Sequence, residues 1–338
     1  MSLLSNRLAD LPTPDESARA AVTERAESVL RPAGALAWLD QIAVWKSGWQ
    51  HSDRPSVERP AALVFAGDHG VTTAASVSAY PAEVTGEILA AEQRGVATIS
   101  VFAKIAGATV TSVDVGVGQP TGDIRHEPAM TPERFDELTQ IAFDAVDALD
   151  TDLLVFGEMG IGNTTPSAAV AAALGGGEAA MWVGRGTGVD DDGLDRKREA
   201  VQAAVRRIAG VIDPLEILRE VGGSELVAMA AGIVAARHRS IPVLLDGYVV
   251  TASAYPLHVA NNAALNHCIV GHRSAEPGHR KLLELLDKQA LLELDMRLGE
   301  GSGAMAAVPL VAMACAGVSD VATFAEWDAL RAHDGNAD

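Results

Sequence analysis

Short aliphatic and β-branched runs recur along the chain, each closing on glycine, aspartate or histidine: AALVFAGDHG from Ala61, ATVTSVDVG from Ala108, DLLVFGEMG from Asp152, AAMWVGRGTG from Ala179, IPVLLDG from Ile241 and HCIVGH from His267. Short β-branched and aliphatic runs of this kind predict buried parallel strands. Between them the apolar positions return at helical spacing over residues 82–105, 132–148, 166–174, 193–209 and 226–237. Strand and helix alternate, so the pattern predicts an α/β fold built on a mostly parallel sheet.

The two ends read differently. Residues 1–50 and 281–338 carry helical periodicity without convincing strands, which predicts a small helical subdomain drawn from both termini beside an α/β domain over 51–280. Trp38, Trp45 and Trp49 fall at i, i+7 and i+11, one helical face, and are expected in a core or an interface.

In an open parallel sheet the ligand lies beyond the carboxyl ends of the strands. Nearly every polar, glycine-flanked cluster of this chain directly follows a predicted strand, so clusters scattered from Asp68 to Ser274 are expected to converge on one edge of the sheet.

Composition narrows the classes. Hydrophobic residues make up 48% of the 338 positions and aromatics only 4%, so the core is expected from Ala, Val, Leu and Ile. A net charge of −19 would repel nucleic acids and anionic membranes, and neither is an expected partner. With no uncharged apolar run of about 18 residues recognised, and no signal-like start, the expected location is the cytoplasm. Cys268 and Cys315 are too few for a disulfide framework.

The clusters point to an anion site with a carboxylate beside it. In GEMGIGNTTPS, Gly160 and Gly162 let the backbone approach a ligand; Asn163, Thr164 or Thr165 is placed to cap a helix, and Pro166 suits its first turn. Free amides at such a terminus attract a phosphate. GRGTGVDDDGLDRKR repeats the arrangement, with Thr187 as a hydroxyl and Arg185 and Lys197 as cations. Its carboxylates Asp190, Asp191 and Asp192 fit a helix start better than a metal site. His267, Cys268, His272 and His279 match no zinc spacing, and Asp68-His69 reads as a hydrogen-bonded turn. LGEGSGAMAAVPL places Glu300 between glycines, ahead of an apolar helix that Ser302 is positioned to cap.

FAGDHGV, VSAYPAEVT, VDVGV, EPAMT, GEMGIGNTT, VGRGTGVDD, DPLEILREVGG, IPVLLDG, HRSAEPGH and LGEGSGA follow one another in order between Phe65 and Ala304. Together they resemble the nicotinate-nucleotide:dimethylbenzimidazole phosphoribosyltransferase family of cobalamin lower-ligand synthesis. The resemblance implies a Rossmann-like sheet with helices on both faces, a small helical domain and a homodimer. It implies transfer of phosphoribosyl from nicotinate mononucleotide to 5,6-dimethylbenzimidazole, giving α-ribazole 5′-phosphate and nicotinate, with no metal and no other cofactor.

By the same resemblance Glu300 is the general base and Glu158 lies beside the ribose and the reacting base. The nucleotide and its phosphate are expected at Gly160, Gly162, Asn163, Thr164, Thr165, Arg185, Gly186, Thr187, Gly188 and Lys197, with Asp246 and Ser274 completing the pocket. Ser78, Tyr80 and Glu87 are expected to hold the acceptor base. Two departures stand out: RPAGALAWLD from Arg31 replaces the family's K-P-P-G-S-L-G-R-L-E, and Glu87 replaces a glutamine. The second keeps another acceptor base open as an alternative, as is a nucleotide-binding paralogue without turnover.

Overall fold

The computed structural model describes residues 2–334. Six strands, β1 (Pro60–Gly67), β2 (Thr109–Gly116), β3 (Leu153–Met159), β4 (Val243–Leu245), β5 (Cys268–His272) and β6 (Ala290–Leu292), form one sheet in the order β2-β1-β3-β4-β5-β6. Every pairing is parallel. Because the chain steps from β1 outward to β2 and then back past β1 to β3, the strand order reverses there, the position at which such sheets open a crevice at their carboxyl edge.

Edge strand β2 departs from the expectation, with an alternating TVTSVDVG sequence whose first six residues are exposed or half-buried. The reason β1, β3 and β4 carry no polar alternation is visible in how their faces divide. Ala61, Leu63 and Phe65 of β1 join Leu154 and Phe156 of β3 and Val243 and Leu245 of β4 in one core. The intervening residues Ala62, Val64, Leu153, Val155 and Leu244 belong to a second core on the opposite face. Helices Pro132–Asp147 and Ser224–His238 pack on the first face, and helices Thr98–Ala106 and Ser302–Ser319 on the second. Gly232 sets the first contact, because a Cβ there would lie 2.7 Å from the Phe156 ring. Phe65 and Phe156 stack beneath it with centroids 6.4 Å apart.

Four further expectations are corrected. The run from Ala179 is not a strand: Ala179–Met181 is a single 3₁₀ turn. Its burial comes from one anchored aromatic, Trp182, whose indole N–H donates to the Gly176 carbonyl at 2.8 Å while its ring lies against Gly175. A short apolar run cannot by itself distinguish this arrangement from a strand. The terminal region does contribute a strand, β6, which pairs with β5. Residues 82–105 form two helices, Val84–Gln93 and Thr98–Ala106, broken where Gly95 takes φ +72°. Finally, Ser302–Ser319 is long and apolar enough to cross a membrane by length and composition, but 61% of it is buried within the fold, where it serves as a core helix.

The terminal helices follow their apolar stripes. Leu4 and Leu8 of helix Leu3–Ala9 enter the first core. Helices Glu16–Ser28 and Ala37–Gln50 meet the far end of Ser302–Ser319 in a small cluster of Val22, Ala26, Ala43 and Val318. Of the three tryptophans, Trp49 is buried under the Arg237 guanidinium, 4.1 Å from its ring, whereas Trp38 is exposed.

Candidate active site

At the carboxyl end of β3, Glu158 is brought against Glu300 by a run of residues without side-chain room. A Cβ on Gly157 would lie 2.3 Å from the Glu300 carbonyl oxygen, and one on Gly299 would lie 2.6 Å from Glu158 Oε1. Gly299, Glu300 and Gly301 all have left-handed φ, at +94°, +61° and +83°. For a glutamate this conformation costs about 1 kcal/mol or more, which marks a position held by its surroundings. The Glu300 N–H donates to the Glu158 carbonyl at 3.2 Å. Its carboxylate reaches the start of helix Thr98–Ala106, where Oε2 accepts from the Ile99 N–H at 3.4 Å. The break in the 82–105 segment is what frees that amide.

Both carboxyls are pushed toward the neutral form. For Glu158 the cause is burial, opposed by the hydrogen bond from Asn163 and reinforced by the charges of Glu225, Asp246 and Glu300; its pKa rises well above the usual range. Glu300 is also raised by burial, opposed by the Ile99 bond, with Asp246 adding to the shift.

Beside this pair the β3 loop forms a cradle. Gly162 has φ +87°, and a Cβ would fall 2.1 Å from the Thr72 hydroxyl oxygen. That hydroxyl donates to the Ile161 carbonyl at 2.8 Å, while the Ile161 N–H donates to Thr85 Oγ1 at 3.1 Å. Asn163 heads helix Thr164–Gly175 without capping it through its side chain, which is turned to the Glu158 carboxylate. Lys197 Nζ donates to Thr164 Oγ1 at 2.7 Å. Burial lowers the Lys197 pKa to about 8, opposed by the charge of Glu276, which leaves it a cation at neutral pH.

The second loop is clamped. The Gly186 N–H donates to Glu276 Oε1 at 2.9 Å, its carbonyl accepts from Arg297 at 2.7 Å, and the Gly188 N–H donates to the Arg185 carbonyl at 2.9 Å. Arg185 itself lies 2.5 Å from Asp191.

These elements line an open cleft at the carboxyl edge of the sheet. Of the residues expected from the sequence, Ser78, Glu158, Gly160, Gly162, Asn163, Thr164, Arg185, Gly186, Thr187, Lys197, Asp246 and Ser274 line it. Glu300 is not on the cleft wall; it is buried, with its backbone packed on Gly157 and hydrogen-bonded to Glu158. Thr165 is buried in the helix with its hydroxyl unpartnered. Gly188, Tyr80 and Glu87 are not on the wall; Tyr80 and Glu87 are exposed, with the Tyr80 N–H donating to the hydroxyl of the wall residue Ser78. Asp246 accepts the Ala304 N–H at 2.7 Å, tying the cleft floor to the start of the Ser302–Ser319 helix. That helix starts at Gly301, and Ser302 does not cap it; its hydroxyl donates to the Gly299 carbonyl.

Tyr248, His272, Glu276 and Arg297 also line the cleft and were not singled out as site residues. His272 and Glu276 lie inside the HRSAEPGH motif, so the signal was present; nothing around Arg297 distinguishes it from a surface cation.

The remaining polar clusters have structural partners. Asp190 caps helix Asp191–Arg207 by accepting the Gly193 N–H at 2.8 Å. His267 donates to the Ile233 carbonyl and His279 Nδ1 accepts from the Ser274 N–H; burial pushes both imidazoles down to about 3, so both stay neutral. Among the described residues no group of three or more His, Cys, Asp or Glu is placed to hold a metal. Asp68 accepts the Gly118 N–H, as a turn requires, but His69 pairs with Glu225 at 2.7 Å, both buried beneath Gly160.

A Rossmann-like sheet whose carboxyl edge presents a glycine-rich helix start, a buried lysine and two adjoining carboxyls describes a site suited to a phosphorylated ligand. A family model described as phosphoribosyltransferase matches residues 11–328, and the chain is a pentosyltransferase. It is 48% identical over 318 residues to the nicotinate-nucleotide–dimethylbenzimidazole phosphoribosyltransferase of Mesorhizobium japonicum, covering 94% of each chain. It is 45% identical to that of Methylorubrum extorquens, covering 95% of this chain and 94% of the relative. The crystal structure of CobT from Thermus thermophilus superposes with a TM-score of 0.88 at 39% identity, over 92% of this chain and 98% of that one. The chain belongs to the nicotinate-nucleotide–dimethylbenzimidazole phosphoribosyltransferase family.

Proposed function

We propose that the cleft transfers phosphoribosyl from nicotinate mononucleotide to 5,6-dimethylbenzimidazole by single displacement, with Glu300 as general base. The observation that carries the reading is the placement of Glu300 against Glu158, next to the Lys197–Thr164 pair at a helix start. The phosphate is assigned to Lys197, Thr164 and the adjoining helix terminus, where dipole and cation act together. One benzimidazole nitrogen forms a bond to C1′ as the C1′–nicotinate bond breaks. The bonding pair returns to the pyridinium ring, which leaves neutral and needs no acid. The proton on the other benzimidazole nitrogen passes to Glu300, a transfer that requires the ring to reach this carboxyl past Gly299, its neighbour on the cleft wall. Glu158, pinned by Asn163, lies beside the ribose and favours positive charge developing at C1′.

The acceptor is set by the wall that includes Ser78; Glu87 and Tyr80 lie outside that wall in this structure. We extend the reading to a cytoplasmic homodimer. Support for the second copy is the apolar outer side of helix Thr98–Ala106, where Val101 and Ile105 are exposed. The test mixes the protein with nicotinate mononucleotide and an equimolar panel of benzimidazoles and purines, then separates the products. Nicotinate release with α-ribazole 5′-phosphate as main product is expected. Consumption of another base would change the acceptor, and nucleotide binding without release would overturn the reading.

A further inference from the structure

Close enough to Glu300 to feel its charge, and off the cleft wall, lies a carboxyl group that the proposed mechanism does not use. Glu92, in the last turn of helix Val84–Gln93, is 4% exposed. Its Oε2 accepts from the Ser112 hydroxyl of β2 at 2.6 Å, while its Oε1 is buried with no partner. The Glu92 carbonyl accepts from the Ser100 hydroxyl, the residue after Ile99, so the helix start that holds Glu300 is stitched to the helix end that carries Glu92. An aliphatic residue would fill this position without leaving an unpartnered oxygen, and a buried polar atom in that condition costs about 1–3 kcal/mol.

Resting on the transferase reading, we propose that Glu92 is a positioning residue for Glu300: the two carboxyl groups carry one proton between them, and Glu92, by holding it, leaves Glu300 ionised to serve as the base. Two buried carboxyls in one neighbourhood do not both ionise readily, and unequal surroundings decide which keeps the proton. Glu300 has a helix-start N–H, which favours its anion, whereas Glu92 has one hydroxyl. Burial, opposed by the Ser112 bond and reinforced by the charge on Glu300, raises Glu92 to about 7.

The other charged groups on the surrounding elements point elsewhere. Lys104 on the following helix is exposed, as are Glu87 and Arg94 on the same helical segment. Asp114, two residues beyond Ser112 on β2, accepts from the Gly116 and Val117 amides. Glu158 of β3 is bound by Asn163.

The sign of the pH effect follows. Below neutrality Glu92 is neutral; as pH rises through about 7 it ionises, and its charge strengthens Glu300 as a base. Brønsted behaviour then gives a further rise in kcat above that pH. The test is the kcat–pH profile of nicotinate release for the wild type, Glu92→Gln and Ser112→Ala. The wild type is expected to show an inflection near pH 7, Glu92→Gln to lose it, and Ser112→Ala to move it upward, because the lost bond favoured the anion. An inflection that persists in Glu92→Gln, or stays in place in Ser112→Ala, overturns the proposal.

A carboxyl-carbon NMR titration of Glu92, in the wild type and in Glu300→Gln, reads the shared proton without turnover. The Glu92 midpoint is expected to fall when the Glu300 charge is removed, and equal midpoints overturn the proposal. Failure of the wild type to release nicotinate counts against the transferase reading and leaves this titration to decide on Glu92.

Discussion

Two glycine-rich loops face each other across the cleft, residues 157–165 and 184–188, and as strings of letters they look alike. Their backbone amides are differently engaged. The first uses its glycines for close approach: Gly157 admits the Glu300 backbone, Gly162 admits Thr72, and the helix start beyond them meets Lys197. The second is held shut by its neighbours, with Gly186 bound by Glu276 and Arg297 and with Arg185 drawn to Asp191. The contrast teaches that glycine followed by a polar helix start marks a candidate anion site, while the side chains that reach it from elsewhere decide whether its amides are free.

The comparison is broken most severely at the carboxylate that only the first loop supports. Glu300→Gln is expected to lower kcat at least ~100-fold, the lower end of general-base effects, with nucleotide affinity nearly unchanged in calorimetry. The glycines come next. Gly162→Ala forces a Cβ into Thr72 at a left-handed φ and is expected to destabilise the fold by about 3 kcal/mol. Gly188→Ala, where φ is +118° but the space is open, is expected to cost about 1 kcal/mol. Denaturant unfolding of both variants checks the difference, and equal losses would erase the distinction between the loops.

The cations sharpen the same contrast. Lys197→Met removes a charge-assisted contact worth about 1.5–3 kcal/mol and is expected to raise the KM for nicotinate mononucleotide roughly 10- to 100-fold. Arg185→Ala breaks an exposed ion pair and is expected to change that KM by less than about threefold. Steady-state kinetics on the pair tests the proposal that the phosphate rests on Lys197 and Thr164 rather than on Arg185.

Much of this was legible before any coordinates, for a physical reason. A parallel sheet needs apolar runs and hides the residues between them, so β1, β3, β4 and β5 announce themselves, as does the convergence of Glu158, Asp246 and Ser274 on one edge; β2 is found as a strand but lies at the sheet edge, its first six residues exposed or half-buried rather than covered on both faces. The failures share a cause as well. The run from Ala179 and strand β6 are short, and three to five apolar residues serve a buried turn as well as an edge strand. Glu276 was passed over because a glutamate in a loop reads as solvated until the amide it binds, 90 positions earlier in the chain, is known to be adjacent. Glu92 was hidden for the same reason: its neighbours Ser112 and Glu300 come from a strand and a distant loop.

The central claim is a single displacement at C1′ with Glu300 taking the proton. It is tested most directly by the anomeric configuration of the ribosyl phosphate formed from β-nicotinate mononucleotide, read by NMR from a single turnover. Inversion, an α-configured product with no enzyme-bound sugar, is the predicted result. A β-configured product, or a ribosyl group trapped on Glu158, would require two displacements and contradict the account.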